Sequence, residues 1–451
     1  MTRHDGGRLR RRARIVLCTL VAVLAAALAP GNGALAEDFV VAGPLVDYRA
    51  AGTAIAVDEP QGDFVSHSAY SGGATCPCGC GGCCGGESFW LRAETLLWRL
   101  SGQDLPPLVT ASPTGTPLPG AGVLGDPSTS ILYGGDTAGD GWRSGVRLSA
   151  GVWLDSCETF ALVGDYFHLG QDGDDFSQGV DGDLIVTRPF FNTQTNTQDV
   201  QLISQLNELD GDVRVESFEE LQGASIGLQQ CLKRCCDPCG RGPSWRIDLV
   251  SGYRHYEHNS RLAIYEDLLV LPGTTQPLVP GTTIELRDQF DARNEFHGGE
   301  FGLKTRVERN GWLFESLLKV AVGRHRRTVD VDGSTLNTVP GAGAFLFDGG
   351  LLTSTATNIG SYQDTRTAVI PELRLSLAHR LTQRLTGRVG YSLIVWDEVA
   401  LAADHLPPGL AVDPRNLPPV AAGGGPDPAF PGIQGSTLLA HGLDFGLELN
   451  Y

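Results

Sequence analysis

The chain has 451 residues, 34 of them basic and 52 acidic, for a formal charge of -18. That balance excludes a nucleic-acid partner, because phosphate binding needs a basic stripe. No apolar run of spanning length lies outside the N-terminus, which excludes a helical membrane protein, and 59 Gly with 26 Pro is too few for a low-complexity chain.

The N-terminus reads as an address. Arg10, Arg11, Arg12 and Arg14 precede an apolar stretch from Ile15 to Ala29, and Ala34-Leu35-Ala36 fits a small-x-small cleavage site. This predicts a secretory signal peptide over residues 1–36. The rival is a transmembrane anchor, for which the stretch is short. Cys18 lies inside it but follows Leu17, which is not the small residue that lipoprotein processing would need. Removing residues 1–36 takes away six Arg and one Asp, leaving ten cysteines in an oxidising compartment.

Residues 37–87 show no lasting period and predict a flexible periplasmic lead, closed by Cys76, Cys78, Cys80, Cys83 and Cys84. From Ser88 onward, segments alternate between apolar and polar residues, the period of a two-faced strand. At the C-terminus Leu443, Phe445, Leu447, Leu449 and Tyr451 alternate with Gly442, Asp444, Gly446, Glu448 and Asn450. Ten strands are predicted, near 88–100, 142–155, 159–171, 212–231, 244–258, 289–308, 311–325, 362–380, 384–397 and 436–451; twelve is the alternative count. Short gaps alternate with long ones (101–141, 172–211, 259–288, 326–361 and 398–435). Short turns on one side and long loops on the other predict an all-β fold. It is a transmembrane antiparallel up-and-down β-barrel over 88–451, with short periplasmic turns and long extracellular loops. A soluble sandwich has no reason to place every long loop at one end. All seven Trp (90, 98, 142, 153, 245, 312, 396) fall in or beside strands, as interfacial girdles would place them, with ordinary core packing the plainer reading of any single one. Pro371 strains the strand 362–380, because proline cannot donate to a ladder. A bulge, or a strand starting at Glu372, would resolve it.

Phe89-Trp-Leu-Arg-Ala-Glu-Thr-Leu-Leu-Trp98 and Leu105-Pro-Pro-Leu-Val-Thr110 resemble the opening of a planctomycete-type putative beta-barrel porin family. Ala121–Gly125, Leu132–Gly135, Ser144–Leu148, Gly151–Leu154, Ser251–Arg254 and Gly298–Gly302 are similar to its later segments. The resemblance covers about residues 88–451. It implies an outer-membrane barrel, with outer-membrane lipid around it, and no established substrate. The closing Leu449-Asn450-Tyr451 is similar to the terminal-aromatic signal read by barrel-assembly machinery.

If the apolar set faces lipid, the alternate set faces the lumen. That set is Arg92 and Glu94; Arg147; Arg246, Asp248 and Arg254; Glu300, Lys304 and Arg306; Glu315 and Lys319; Glu372 and Arg374; Arg388; Asp444 and Glu448. The signs are interleaved, and small barrels are filled by their own side chains. The expectation is a plugged lumen laced with ion pairs, passing water or small ions at most. The rival is an open pore with a charged constriction.

In this topology the first cysteine cluster, Cys157, and Cys231, Cys235, Cys236 and Cys239 all map to the periplasmic face. Disulfides are the favoured reading; zinc at Cys80–Cys83 or Cys236–Cys239 is the rival. No thioredoxin-like setting supports a redox enzyme. Asp172, Asp174, Asp175, Asp181 and Asp183 could hold calcium but lack an EF-hand pattern, so a solvated acidic loop is preferred. His255, Glu257 and His258, with Asp165 and His168, are the candidates for a barrel-borne hydrolase. The reading is a non-enzymatic, porin-like or structural envelope barrel without a required cofactor. A surface binding or adhesion barrel acting through its loops is the alternative, and oligomeric state stays open.

Overall fold

The computed structural model describes residues 88–179, 182–235, 243–275, 277–419 and 423–451. The expected signal peptide, the lead with Cys76, Cys78, Cys80, Cys83 and Cys84, and also Cys236, Cys239 and Asp181, lie outside the described residues.

Ten antiparallel strands form a closed ring. They are β1 (Phe89–Arg99), β2 (Trp142–Trp153), β3 (Phe160–Gln178), β4 (Leu209–Cys235), β5 (Ser244–Val270), β6 (Thr283–Arg309), β7 (Trp312–Val339), β8 (Gly360–Arg380), β9 (Leu385–Val399) and β10 (Ser436–Asn450). Each pairs with its neighbours in the chain, and β10 pairs back onto β1 from Asn450↔Trp90 to His441↔Arg99. Closure leaves no edge to hydrogen-bond, which a strand in lipid requires. The ends are tied as well: the Ser88 and Phe89 amides donate to the Tyr451 carbonyl at 2.6 and 3.1 Å.

The turns that join β2 to β3 and β6 to β7 have visible local causes. Asn310 and Gly311 both have positive φ, 52° and 80°, so Arg309 and Trp312 pair across a two-residue hairpin of the Asn-Gly kind. In the β2–β3 turn the Asp155 carboxylate accepts from the amides of Cys157, Thr159 and Phe160 at 2.8–3.0 Å.

Near the turn end the outward face is apolar. Leu91, Leu148, Leu162, Ile226, Phe301, Phe314, Leu377, Val389, Phe445 and Leu447 are all exposed there. The inward face at that level carries charge. Towards the loop end the phase inverts. On β5 the inward series runs from Arg246, Asp248 and Arg254 to Leu262, Ile264, Leu268 and Val270, while the outward series becomes Glu257, Arg261 and Asp267. The lower barrel is built for lipid outside, and the upper barrel for water outside and an apolar core inside.

This inversion corrects the expected strand ends. β4, β5 and β6 have 27 residues each and β7 has 28, against roughly 9–11 needed to cross a bilayer. The stretch expected as a loop over 259–288 is mostly strand, with only 271–282 left to connect β5 to β6. Pro371 lies within β8, in register with Val320 of β7. The ladder from β8 to β9 ends at Glu372↔Ile394. Pro371 is therefore the first residue beyond that ladder; the strand is neither bulged there nor cut short.

The other long loops fold onto the upper barrel. Val109–Pro113, Ser130–Tyr133, Leu184–Asn192, Thr197–Ser204 and Ala411–Val412 make a second small sheet. Its residues share one core with the upper strands, including Val109, Val186, Ile203, Ile264, Phe290 and Val331.

Candidate functional site

The candidate site is the barrel interior, which is filled in tiers. All sixteen predicted lumen charges point inward, and most are under one-tenth exposed; Arg246, Lys304, Arg306 and Arg374 are half-buried.

In the tier nearest the turns, Glu448 (β10) accepts from Arg92 (β1) and Arg388 (β9) at 2.7 Å each. Glu315 (β7) meets Arg92 and Arg388 at 3.2 Å and Lys304 (β6) at 3.4 Å. β1 and β7 stand four strands apart in the ring, so the Arg92–Glu315 pair reaches well across the lumen. Along the wall, Arg246 bridges Asp248 at 2.6 Å and Glu158 at 3.2 Å.

In the next tier Glu372 (β8) meets Arg254 and Arg374, Lys319 at 3.5 Å and the Tyr256 hydroxyl at 2.9 Å. Lys319 also pairs with Glu300 at 3.1 Å. Asp165 (β3) accepts from Arg254 at 2.8 Å and from Arg374 at 2.9 and 3.0 Å. β3 and β8 are five apart in a ring of ten; that contact spans the full bore. Arg147 joins Asp444 at 3.3 Å and Glu94 at 3.5 Å, while the Trp98 indole donates to Asp444 at 2.8 Å. Asp165 and Glu158 are network members that strand alternation missed. Asp165 sits in the alternating series of β3 and was legible; Glu158 comes from a turn and was not.

Above the charges lies an apolar tier of Trp98, Phe167, Tyr256, Phe296 and Trp396, with ring centroids 5.5–6.3 Å apart. Trp98 and Trp396 thus belong to the interior rather than to a girdle. Trp142 and Trp312 are the strongly exposed ones.

The last long loop caps this tier. The Asn294 side chain receives the Ala400 amide and donates to its carbonyl, both at 2.8 Å. Ser260 Oγ accepts from the Ala402 amide at 2.9 Å, and Gln103 accepts from Ala403 at 3.1 Å. Two barrel side chains and Gln103 of the first long loop thereby supply partners for a buried loop backbone that would otherwise be costly to desolvate.

Beneath this cap, and above the apolar outer band, Glu219 is fully buried, and among the described residues neither of its oxygens is hydrogen-bonded. Burial pushes it up to about 7, opposed by Arg143 and aided by Asp404. His258 Nε2 lies 4.0 Å away and is held down to about 3 by burial, Arg143 and His325. Because the folded Glu219 value exceeds its unfolded one, its contribution is full below about 4.5 and is lost as pH rises through about 7. His258 runs the other way, full above 6.5 and lost towards 3. Glu219→Gln is therefore expected to gain on wild type by about 2–3 kcal/mol between about pH 5 and about pH 8. Urea midpoints at the two pH values measure this; an unchanged difference would contradict it.

The hydrolase candidates are not brought together. His255 and Glu257 face outward, His258 faces inward, and Asp165 is engaged by arginines. His168 stands 3.6 Å from Glu220 on the outer wall. The calcium candidates Asp174 and Asp175 are neighbours within β3, so alternation sends them to opposite faces. Among the described residues no group of three or more potential ligands could hold a metal ion. Cys157 is disulfide-bonded. Cys231 is buried at the turn end of β4, its amide donating to Thr159 at 2.8 Å, which brings that strand end against the Cys157 turn. Cys235 is half-buried four residues on.

A family model described as putative beta barrel porin-7 (BBP7) matches residues 90–451. Among curated proteins, no significant match was found. Similar solved structures include the outer membrane protease OmpT of Escherichia coli, at 7% identity and a TM-score of 0.35, covering 81% of this chain and 97% of that one. The toluene transporter TodX of P. putida is 8% identical with a TM-score of 0.16, covering 81% and 90%. An anion-selective porin from Comamonas acidovorans is 9% identical with a TM-score of 0.13, covering 81% and 99%.

Proposed function

Because the chain belongs to the putative beta barrel porin-7 family, we propose that it is an outer-membrane barrel whose bilayer segment is closed. It serves the envelope as a structural, surface-presenting protein, and its lumen passes water or small ions at most. The observation that carries this reading is the pairing of Asp165 with Arg374 across the full bore. A solute would have to break buried, charge-assisted hydrogen bonds and then displace the aromatic tier. The protein acts without catalysis on this reading, since the charges of its bilayer-level lumen are engaged with one another.

Liposome swelling tests the proposal. Vesicles holding the full-length folded chain should swell in a small sugar no faster than protein-free vesicles. Swelling that falls off with sugar size would favour the open, charged pore.

A second reading is supported by the upper barrel. Four strands rise well past the apolar band, and Arg188 from the small sheet is buried between Glu266 and Asp288. A rigid outer body of this kind suits surface binding. Whole-cell binding that survives exchange of the outer loops would count against that reading.

A further inference from the structure

One outward row stands where the apolar band ends. In register across four strands lie His255 (β5), His297 (β6), Arg324 (β7) and Thr367 (β8). Two residues nearer the turns, the same strands present Tyr253, Gly299, Val322 and Val369, and the three side chains among them are exposed to the bilayer side. Two residues nearer the loops they present Glu257, Glu295, Arg326 and Thr365. The row therefore lies at the level of lipid headgroups.

Most polar groups around it are already matched. Arg293 binds Glu257 at 3.1 Å and Glu295 at 2.9 Å. Arg326 donates to Gln363 at 2.8 Å. The Tyr253 hydroxyl and His297 Nδ1 are 2.6 Å apart, and the His255 and His297 rings stack at 4.6 Å. That stacking and hydrogen bonding orient His297 and leave its Nε2 directed away from Tyr253. Arg324 is exposed, and among the described residues it has no ion pair or hydrogen bond. Gly299 leaves a notch directly below His297, where an added Cβ would meet only the Gly252 carbonyl at 3.9 Å.

We propose that this row is a binding site for the phosphate of an anionic lipid headgroup. Arg324 supplies a two-pronged donor to the phosphate, His297 and Thr367 flank it, and the notch at Gly299 receives the first part of an acyl chain. The two carboxylates nearby, Glu257 and Glu295, are held by Arg293 and turn less negative potential on the site than free acids would. The inference rests on the outer-membrane placement and is independent of whether the lumen conducts.

The test is native mass spectrometry of the full-length folded barrel in neutral detergent, titrated with dioleoyl phosphatidic acid, dioleoyl phosphatidylcholine or inorganic phosphate. Phosphatidic acid should bind to wild type in preference to phosphatidylcholine, and Arg324→Ala should weaken it about tenfold, equivalent to about 1.4 kcal/mol. Arg326→Ala, whose guanidinium is already engaged, should weaken it less than about twofold. Both variants are on the outer surface, and a retained gel shift between unboiled and boiled samples verifies that they fold as barrels. Equal binding to wild type and Arg324→Ala would overturn the site. Equal binding of the two lipids would do the same. Inorganic phosphate binding as tightly as phosphatidic acid would overturn the lipid as its source. Loss of the gel shift in wild type would instead sink the barrel reading itself.

Discussion

Replacing Glu372 by Gln is expected to destabilise the folded barrel by about 3–5 kcal/mol, the cost of breaking a buried ion cluster by removing one partner. Glu372 is 2% exposed and serves Arg254, Arg374, Lys319 and Tyr256 together. Gln keeps the shape but withdraws a charge. Three cations then share Asp165 and Glu300 in a buried tier, where screening is weak. The loss appears as a lower urea midpoint for the heat-modifiable form in liposomes. Adding Lys319→Met should recover part of it, because the pair leaves together and a well-packed apolar group can stand in for a buried ion. A single variant within about 1 kcal/mol of wild type would mean that the interior is wet and that these pairs are screened.

Trp396→Ala is expected to cost about 3–5 kcal/mol by cavity formation. Trp396 is 0% exposed and packs on Tyr256, Phe296 and His325 at 5.9, 6.3 and 4.9 Å. Its indole nitrogen has no hydrogen-bond partner among the described residues, so the loss is packing rather than polarity. It also lies past the end of the β8–β9 ladder, where β9 keeps backbone pairing on one side, with Leu438 of β10 opposite Trp396. The variant should speed hydrogen exchange at Ala400 and Ala402, whose amides rest on Asn294 and Ser260. Unchanged exchange there would separate the aromatic tier from the cap.

Much of this was legible because a strand that crosses lipid has one solution: apolar out, with the remaining positions turned in. Arg92, Glu372, Arg388 and Glu448 were assigned inward on alternation alone, and they do point inward. The same rule failed higher up. Leu262, Ile264 and Leu268 on β5 keep the period but change its sense, since water replaces lipid outside them and apolar residues move to the inner face. An alternation rule with a fixed sense reads that change as the end of a strand. Trp98 and Trp396 could not be assigned singly for a related reason: a Trp near a strand end suits an interface or a packed interior equally well. The cap was not legible. Residues 400–406 carry no period, and their position depends on Asn294, Ser260 and Gln103, each far away in sequence.

Single-channel recording on the wild-type chain tests the closed lumen most directly. Full-length protein is folded into liposomes, its insertion confirmed by the gel shift between unboiled and boiled samples, and the same vesicles are fused to a planar bilayer. The closed lumen predicts current at the lipid baseline, with no resolved steps. Regular, long-lived conductance steps from that inserted protein would contradict it, and would make the paired charges the lining of a pore instead of its filling.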